Sequence, residues 1–212
     1  MDITLKYKPE RKEIARFMRR LYRHGLTTTS GGNISRRISN DLIGITPSAT
    51  DKGSMRWEEV GLITMSGENL TDSLKPSIEL AMHLAIYSRK KEVSAIVHAH
   101  PTFATAFTAM KNKISTNLTA EAKAILGDPL YVPYALMGTS HLAELAAESI
   151  IKSDILLLEN HGILTTGNTI LQAFDKIEVL ENAAKMTLIV NVMGRKSPLS
   201  GKRVLEIEKF FR

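Results

Sequence analysis

The chain has no cysteine, which excludes disulfides, thiolate metal sites and cysteine nucleophiles. That absence fits a reducing compartment. Aromatic residues are scarce, at 6%, and they do not interleave with the basic runs as a single-strand nucleic-acid binder requires. No apolar run is long enough to span a bilayer, and the charged start MDITLKYKPERK lacks a signal peptide's apolar core. The expected location is the cytoplasm, with no membrane partner. Repeats, low-complexity tracts and linkers are missing too, so residues 1–212 are expected to form a single domain.

What is present is ordinary for a globular protein: 43% hydrophobic and 24% charged residues, over a length that buries a substantial core without cross-links. The net charge of +6 has a plain reading, a solvated basic surface. Two sharper readings are nucleic-acid binding and attraction of small anionic substrates. With so few aromatics the small anions fit better, and no nucleic-acid partner is expected.

Residues 9–24 have the period of an amphipathic helix, with Ile14, Phe17, Met18, Leu21 and Tyr22 as the apolar stripe. Arg16, Arg19, Arg20 and Arg23 fall largely on the other side and read as a solvated face. A hydroxyl-rich turn, Thr27 to Asn33, follows and leads into a strand over 34–38. Its glycines let backbone N–H groups approach a ligand, but without P-loop or dinucleotide spacing such a stretch, taken alone, is more often a turn than a site. A hairpin partner at 42–46 ends in Thr46-Pro47-Ser48-Ala49, and 62–65 reads as a further strand.

The chain is organised around Lys75 to Pro101. Pro76 suits the first positions of a helix, and Leu80, Leu84 and Tyr87 recur at helical spacing with Glu79 and His83 one turn apart on one face. His83 reads either as a donor behind the site or as an ordinary helix–sheet contact. A buried strand over 93–97 then runs into His98-Ala99-His100-Pro101, and strand alternation points His98 and His100 the same way. Helices are expected over 102–110, 120–126 and 141–152, then from a Thr169 cap to about 192, with Leu188 on its inner side. Strands are expected at 130–132, 155–158 and 163–165, and a last helix carries Phe210 and Phe211, hints of a buried tail. A polar loop joins 110 to 118.

For H-x-H alone, metal ligands and ordinary polar side chains are equally good readings. His161, a third histidine following a buried strand, and the nearby Glu79 turn the balance to a metal. Three neutral imidazoles with an open fourth position make a catalytic rather than a structural zinc site.

Ser30-Gly31-Gly32-Asn33, Thr46-Pro47-Ser48, Lys75-Pro76-Ser77-Ile78-Glu79, His98-Ala99-His100-Pro101 and Asn160-His161-Gly162, in this order and spacing, resemble the class II aldolase/adducin family. The resemblance implies a three-layer α/β/α sandwich around a mostly antiparallel central sheet, assembled as a homotetramer. It places zinc, or another divalent transition metal, on His98, His100 and His161. It places the phosphate of a small-molecule sugar phosphate on Ser30, Gly31, Gly32 and Asn33, on Ser48 and Ala49, and on Ser77. Glu79 would be the catalytic acid/base.

The implied reaction is reversible cleavage of a ketose 1-phosphate to dihydroxyacetone phosphate and an aldehyde. Sugar-phosphate dehydratases and decarboxylases, and non-catalytic adducin-like modules, share the scaffold. Glutamate at 79 argues against an epimerase, and three retained histidines argue against the module. Three departures stand out: Ile78 where a second serine is found, Ala49 where glycine is common, and no tyrosine after Tyr134 to serve the aldehyde end.

Overall fold

Seven strands and eight helices are formed by the described residues, which are 3–110, 113–194 and 196–211 of a computed structural model. In chain order they are α1 (Ile3–Lys6), α2 (Lys8–Arg23), β1 (Asn33–Ser39), β2 (Leu42–Ile45), β3 (Gly61–Thr64), α3 (Leu80–Arg89), β4 (Ala95–Ala99), α4 (Thr102–Thr108), α5 (Ala120–Leu126), β5 (Leu130–Val132), α6 (Ser140–Ser149), β6 (Ile155–Leu158), β7 (Gly162–Gly167), α7 (Ile170–Met193) and α8 (Gly201–Phe211). Lys111 and Asn112, in the expected polar loop after α4, lie outside the described residues. No described helix is long and apolar enough to cross a membrane.

The strands form one sheet in the order β3-β2-β1-β4-β7-β6-β5. Every neighbouring pair is antiparallel except β5 and β6. Strand alternation divides the apolar residues between two cores. Ala95, Val97 and Ala99 of β4 pack with α2, α4, α5 and α7, whereas Ile96 packs with α3 and α6. The result is the expected three-layer α/β/α sandwich around a mostly antiparallel sheet. The β1–β4 register sets Asn33 opposite His98 and Ser35 opposite Ile96, all on the α3 side.

Most boundaries fall where the sequence pattern puts them, and the differences have local causes. β4 begins at Ala95 rather than Val93, because the Val93 N–H closes a turn onto Lys90 O. Pro76 does not open α3. It forms an isolated bridge with Pro47, and the helix starts after Glu79, once Leu80 N–H has turned back onto Ser77 O. Thr139 and Thr169 cap α6 and α7 through their side-chain oxygens. Leu188 is exposed, as are Ile189 and Val192, because the last turns of α7 run past the core. Phe210 and Phe211 are exposed rather than buried in this chain.

Candidate active site

β4 ends at the middle of the sheet, and three histidines gather there. His98 lies within β4, completely buried, and His100 follows it beyond the strand. His161 comes from the tight β6–β7 turn, where Asn160 takes a φ of 52°; asparagine tolerates this left-handed conformation. The three rings offer nitrogens that all lie within 4.8 Å of one another. Glu79 comes from the α3 side, at the residue that precedes the helix, and is itself buried.

The tautomer of His98 follows from its partner. Its Nδ1–H donates to Ile163 O at 2.9 Å, so Nε2 carries the lone pair. That Nε2 lies 3.0 Å from His100 Nε2 and 3.2 Å from Glu79 Oε2, while Glu79 Oε1 lies 3.3 Å from His161 Nε2. Burial, reinforced by the neighbouring rings, pushes His98 and His100 down to about 3, so both are neutral near pH 7. Buried Glu79 Oε1 and His161 Nδ1 have no hydrogen-bond partner among the described residues. Imidazole lone pairs packed against a carboxylate suit a divalent transition ion, and the donor set therefore fits the metal that the sequence implies.

Gly162 shapes this cluster by what it lacks. A Cβ there would sit 2.4 Å from His100 Cδ2 and 2.8 Å from Ala99 O. Gly162→Ala is therefore expected to displace the His100 ring and weaken zinc binding by about 10- to 100-fold. Titration against a chromophoric chelator checks this, and an unchanged affinity would show that the ring's placement is immaterial.

The hydroxyl-bearing turns expected to hold phosphate are joined to one another. Lys52 N–H donates to Thr29 O (2.9 Å), tying the 27–33 turn to the 46–52 loop. That loop is tied to the 75–78 turn by Ser48 N–H to Lys75 O, Ser48 Oγ to Pro76 O and Ile78 N–H to Ser48 Oγ, each at 3.0 Å. Asn33 Nδ2 closes the set, donating to Ser77 Oγ at 3.1 Å and to Glu79 Oε2 at 2.8 Å. Gly31 and Gly32 lie against the end of β4, where a Cβ on Gly32 (φ +67°) would meet His98 O at 2.8 Å. Ala49 holds a φ of 52°, the conformation that explains why glycine suits this position. Ser30 is exposed on the first turn. The arginines of α2 stay out of this network; Arg20 pairs with Glu178, and Arg19 donates to Met55 O.

Two further residues join this region: His83, which the sequence read either as a donor behind the site or as an ordinary contact, and Lys52, which it missed. His83 is wholly buried with Nε2 2.5 Å from Asn33 Oδ1, and its spacing from Glu79 was the one available signal. Lys52 is buried beneath the 46–52 loop, its Nζ donating to Pro47 O. Burial pushes Lys52 down to about 8 against the pull of Glu59. Unfolded, it titrates near 10.5, so between these values the unfolded chain binds the extra proton and stability rises with pH. The rise is expected to reach at most about 3 kcal/mol and to vanish in Lys52→Met. Urea unfolding at pH 7.5 and 10.5 measures it.

A sequence model described as "Class II Aldolase and Adducin N-terminal domain" matches residues 12–188. An L-fuculose phosphate aldolase of Methanococcus maripaludis is 38% identical over 191 residues, covering 90% of this chain and 98% of that protein. A 3-oxo-tetronate 4-phosphate decarboxylase of Haemophilus influenzae is 33% identical, over 84% of this chain and 85% of that one. The solved structure of an L-fuculose 1-phosphate aldolase superposes with a TM-score of 0.86 at 30% identity, covering 94% and 95% of the two chains. The chain belongs to the class II aldolase and adducin family.

Proposed function

We propose that the protein is a divalent-metal-dependent lyase that reversibly cleaves a ketose 1-phosphate, L-fuculose 1-phosphate or a similar deoxy-ketose phosphate, to dihydroxyacetone phosphate and an aldehyde. The observation that carries this reading is the buried Glu79 carboxylate, set within 3.3 Å of two of three converging imidazoles. His98, His100 and His161 would hold the ion. A divalent ion in this position supplies Lewis-acid stabilisation of the negative charge left on oxygen when the carbon–carbon bond breaks. Glu79 carries the proton to and from the carbon beside the carbonyl, a task for a base within hydrogen-bond reach of the substrate. The Ser30–Asn33 turn, the Ser48–Ala49 turn and Ser77 anchor the phosphate remotely and so orient the reacting carbon. The working form is a cytoplasmic homotetramer of one-domain chains, as in the family resemblance.

The decarboxylase relative supports a second reading that shares this chemistry. A four-carbon acid with a hydroxyl at carbon 2, its ketone at carbon 3 and phosphate at carbon 4 leaves dihydroxyacetone phosphate when carbon 1 departs as carbon dioxide and carbon 2 takes up a proton. Either reaction passes through the same carbanion, and only the departing fragment differs. The test has two stages on zinc-loaded protein. Incubation with dihydroxyacetone phosphate alone in deuterium oxide is expected to label its hydroxymethyl carbon. Ketose 1-phosphates are then screened for aldehyde release, and the 3-oxo acid phosphate for carbon dioxide. Absence of both labelling and aldehyde release would overturn the proposal; carbon dioxide release alone would favour the second reading.

A further inference from the structure

Behind Glu79 the polar side chains run in single file through the core between β1 and α3. Asn33 Nδ2 reaches Glu79 Oε2 at 2.8 Å, and Asn33 Oδ1 lies 2.5 Å from His83 Nε2. His83 Nδ1 lies 2.6 Å from Ser35 Oγ, which lies 2.8 Å from the Tyr87 hydroxyl. Ser35, His83 and Tyr87 are completely buried. A helix–sheet contact in a core is normally apolar, and polar groups there are costly unless every member is paired.

The hydrogen-bond rules give this file one direction. An ionised carboxylate only accepts, so Asn33 must present its NH2 to Glu79 and its carbonyl to His83. His83 Nε2 must then carry the proton, and the Nδ1 of the neutral ring accepts from Ser35 O–H. The Ser35 oxygen in turn accepts the Tyr87 O–H. Every donor therefore points toward Glu79. Reversing the Asn33 amide would set its carbonyl against the carboxylate, while the Ser77 hydroxyl, able to donate as well as accept, would not oppose the change.

We propose that Tyr87, Ser35 and His83 are positioning residues for Glu79, a one-way chain of donors that locks the Asn33 amide in the orientation that grips the carboxylate. The kinetic consequence rests on the proposed role of Glu79; the hydrogen-bond direction does not.

Two measurements on zinc-loaded protein keep these apart. Nitrogen-15 NMR of labelled histidine is expected to show His83 as the Nε2–H tautomer in the parent protein and, because the Asn33 carbonyl still accepts from that nitrogen, in Ser35→Ala as well. Ser35→Ala is expected to lower kcat for ketose-phosphate cleavage by about 10- to 100-fold, with KM within about twofold and zinc content unchanged. Tyr87→Phe keeps the ring that stacks with Arg37 at 4.7 Å and should lose less. His83→Gln, whose amide both donates and accepts, should recover much of the rate lost in His83→Leu. An Nδ1–H tautomer in the parent protein, or a wild-type kcat in Ser35→Ala, would overturn the proposal. If Ser35→Ala does not fold, the parent tautomer alone decides. A protein inert toward every sugar phosphate, yet carrying the Nε2–H tautomer at His83, would uphold the chain and refute the aldolase reading.

Discussion

Glu79→Gln is expected to lower kcat for cleavage by about 10³-fold, and to stop deuterium exchange into dihydroxyacetone phosphate, while zinc content stays at one ion per chain. The amide has the shape of the carboxylate and still offers an oxygen to Asn33 Nδ2, which now donates to Glu79 Oε2 at 2.8 Å. What it loses is the ability to take up a proton. The three rings come from β4 and the β6–β7 turn, not from α3, so their mutual spacing does not depend on residue 79. The substitution leaves the turns proposed to hold phosphate unaltered, and KM should change little. Zinc analysis separates two roles that the geometry places side by side. Loss of rate with the ion retained assigns proton transfer to Glu79. Loss of both would make the carboxylate chiefly a ligand, and an unimpaired rate with metal bound would remove it from the mechanism.

The parts of this site that the sequence made legible are those governed by local rules. The period of two along β4 was enough to put His98 and His100 on one side of the sheet, and buried strand 155–158 placed His161 at a strand end. Thr169 bounded the start of α7 because caps act within a few residues. Pro76 shows where local rules fail. Its fixed φ suits a helix start, yet its bridge to Pro47, 29 positions away in the chain, decides its place. Such a contact leaves no periodic trace.

The same limit hid the donor chain. Asn33 and Ser35 alternate on β1, and His83 and Tyr87 lie one turn apart on α3, each a recognisable pattern alone. Only the packing of that helix against that strand converts four polar residues into one connected file. Lys52 carried even less signal, because a lysine in a turn is ordinarily solvated; its burial follows from the 46–52 loop folding over it. Ala49 was the reverse case. It was marked as part of a phosphate turn and as a missing glycine, and the φ of 52° supplies the physical meaning of that departure.

Removing the metal is expected to abolish cleavage and also to lower the thermal midpoint, and the second effect holds whatever the substrate proves to be. His98 and His100 are already neutral near pH 7, so both nitrogens are in the ligand form before any ion arrives. Without a cation, lone pairs on His98 and His100 face each other at 3.0 Å or must share a proton, and Glu79 Oε1 has no donor. An ion that binds only the folded chain stabilises it by mass action, by about 3–4 kcal/mol when its free concentration is 100 to 1,000 times its Kd. For a chain of this size that corresponds to a midpoint about 10 °C higher with zinc than after dialysis against a chelator. His98→Ala should bind zinc poorly, show almost no zinc-dependent shift, and lose at least about 10³-fold in cleavage rate. A chelator-treated parent protein that melts at the same temperature with and without zinc would mean that the converged rings do not hold that ion. The assignment of Glu79 would then have to stand on a carboxylate with no cation beside it.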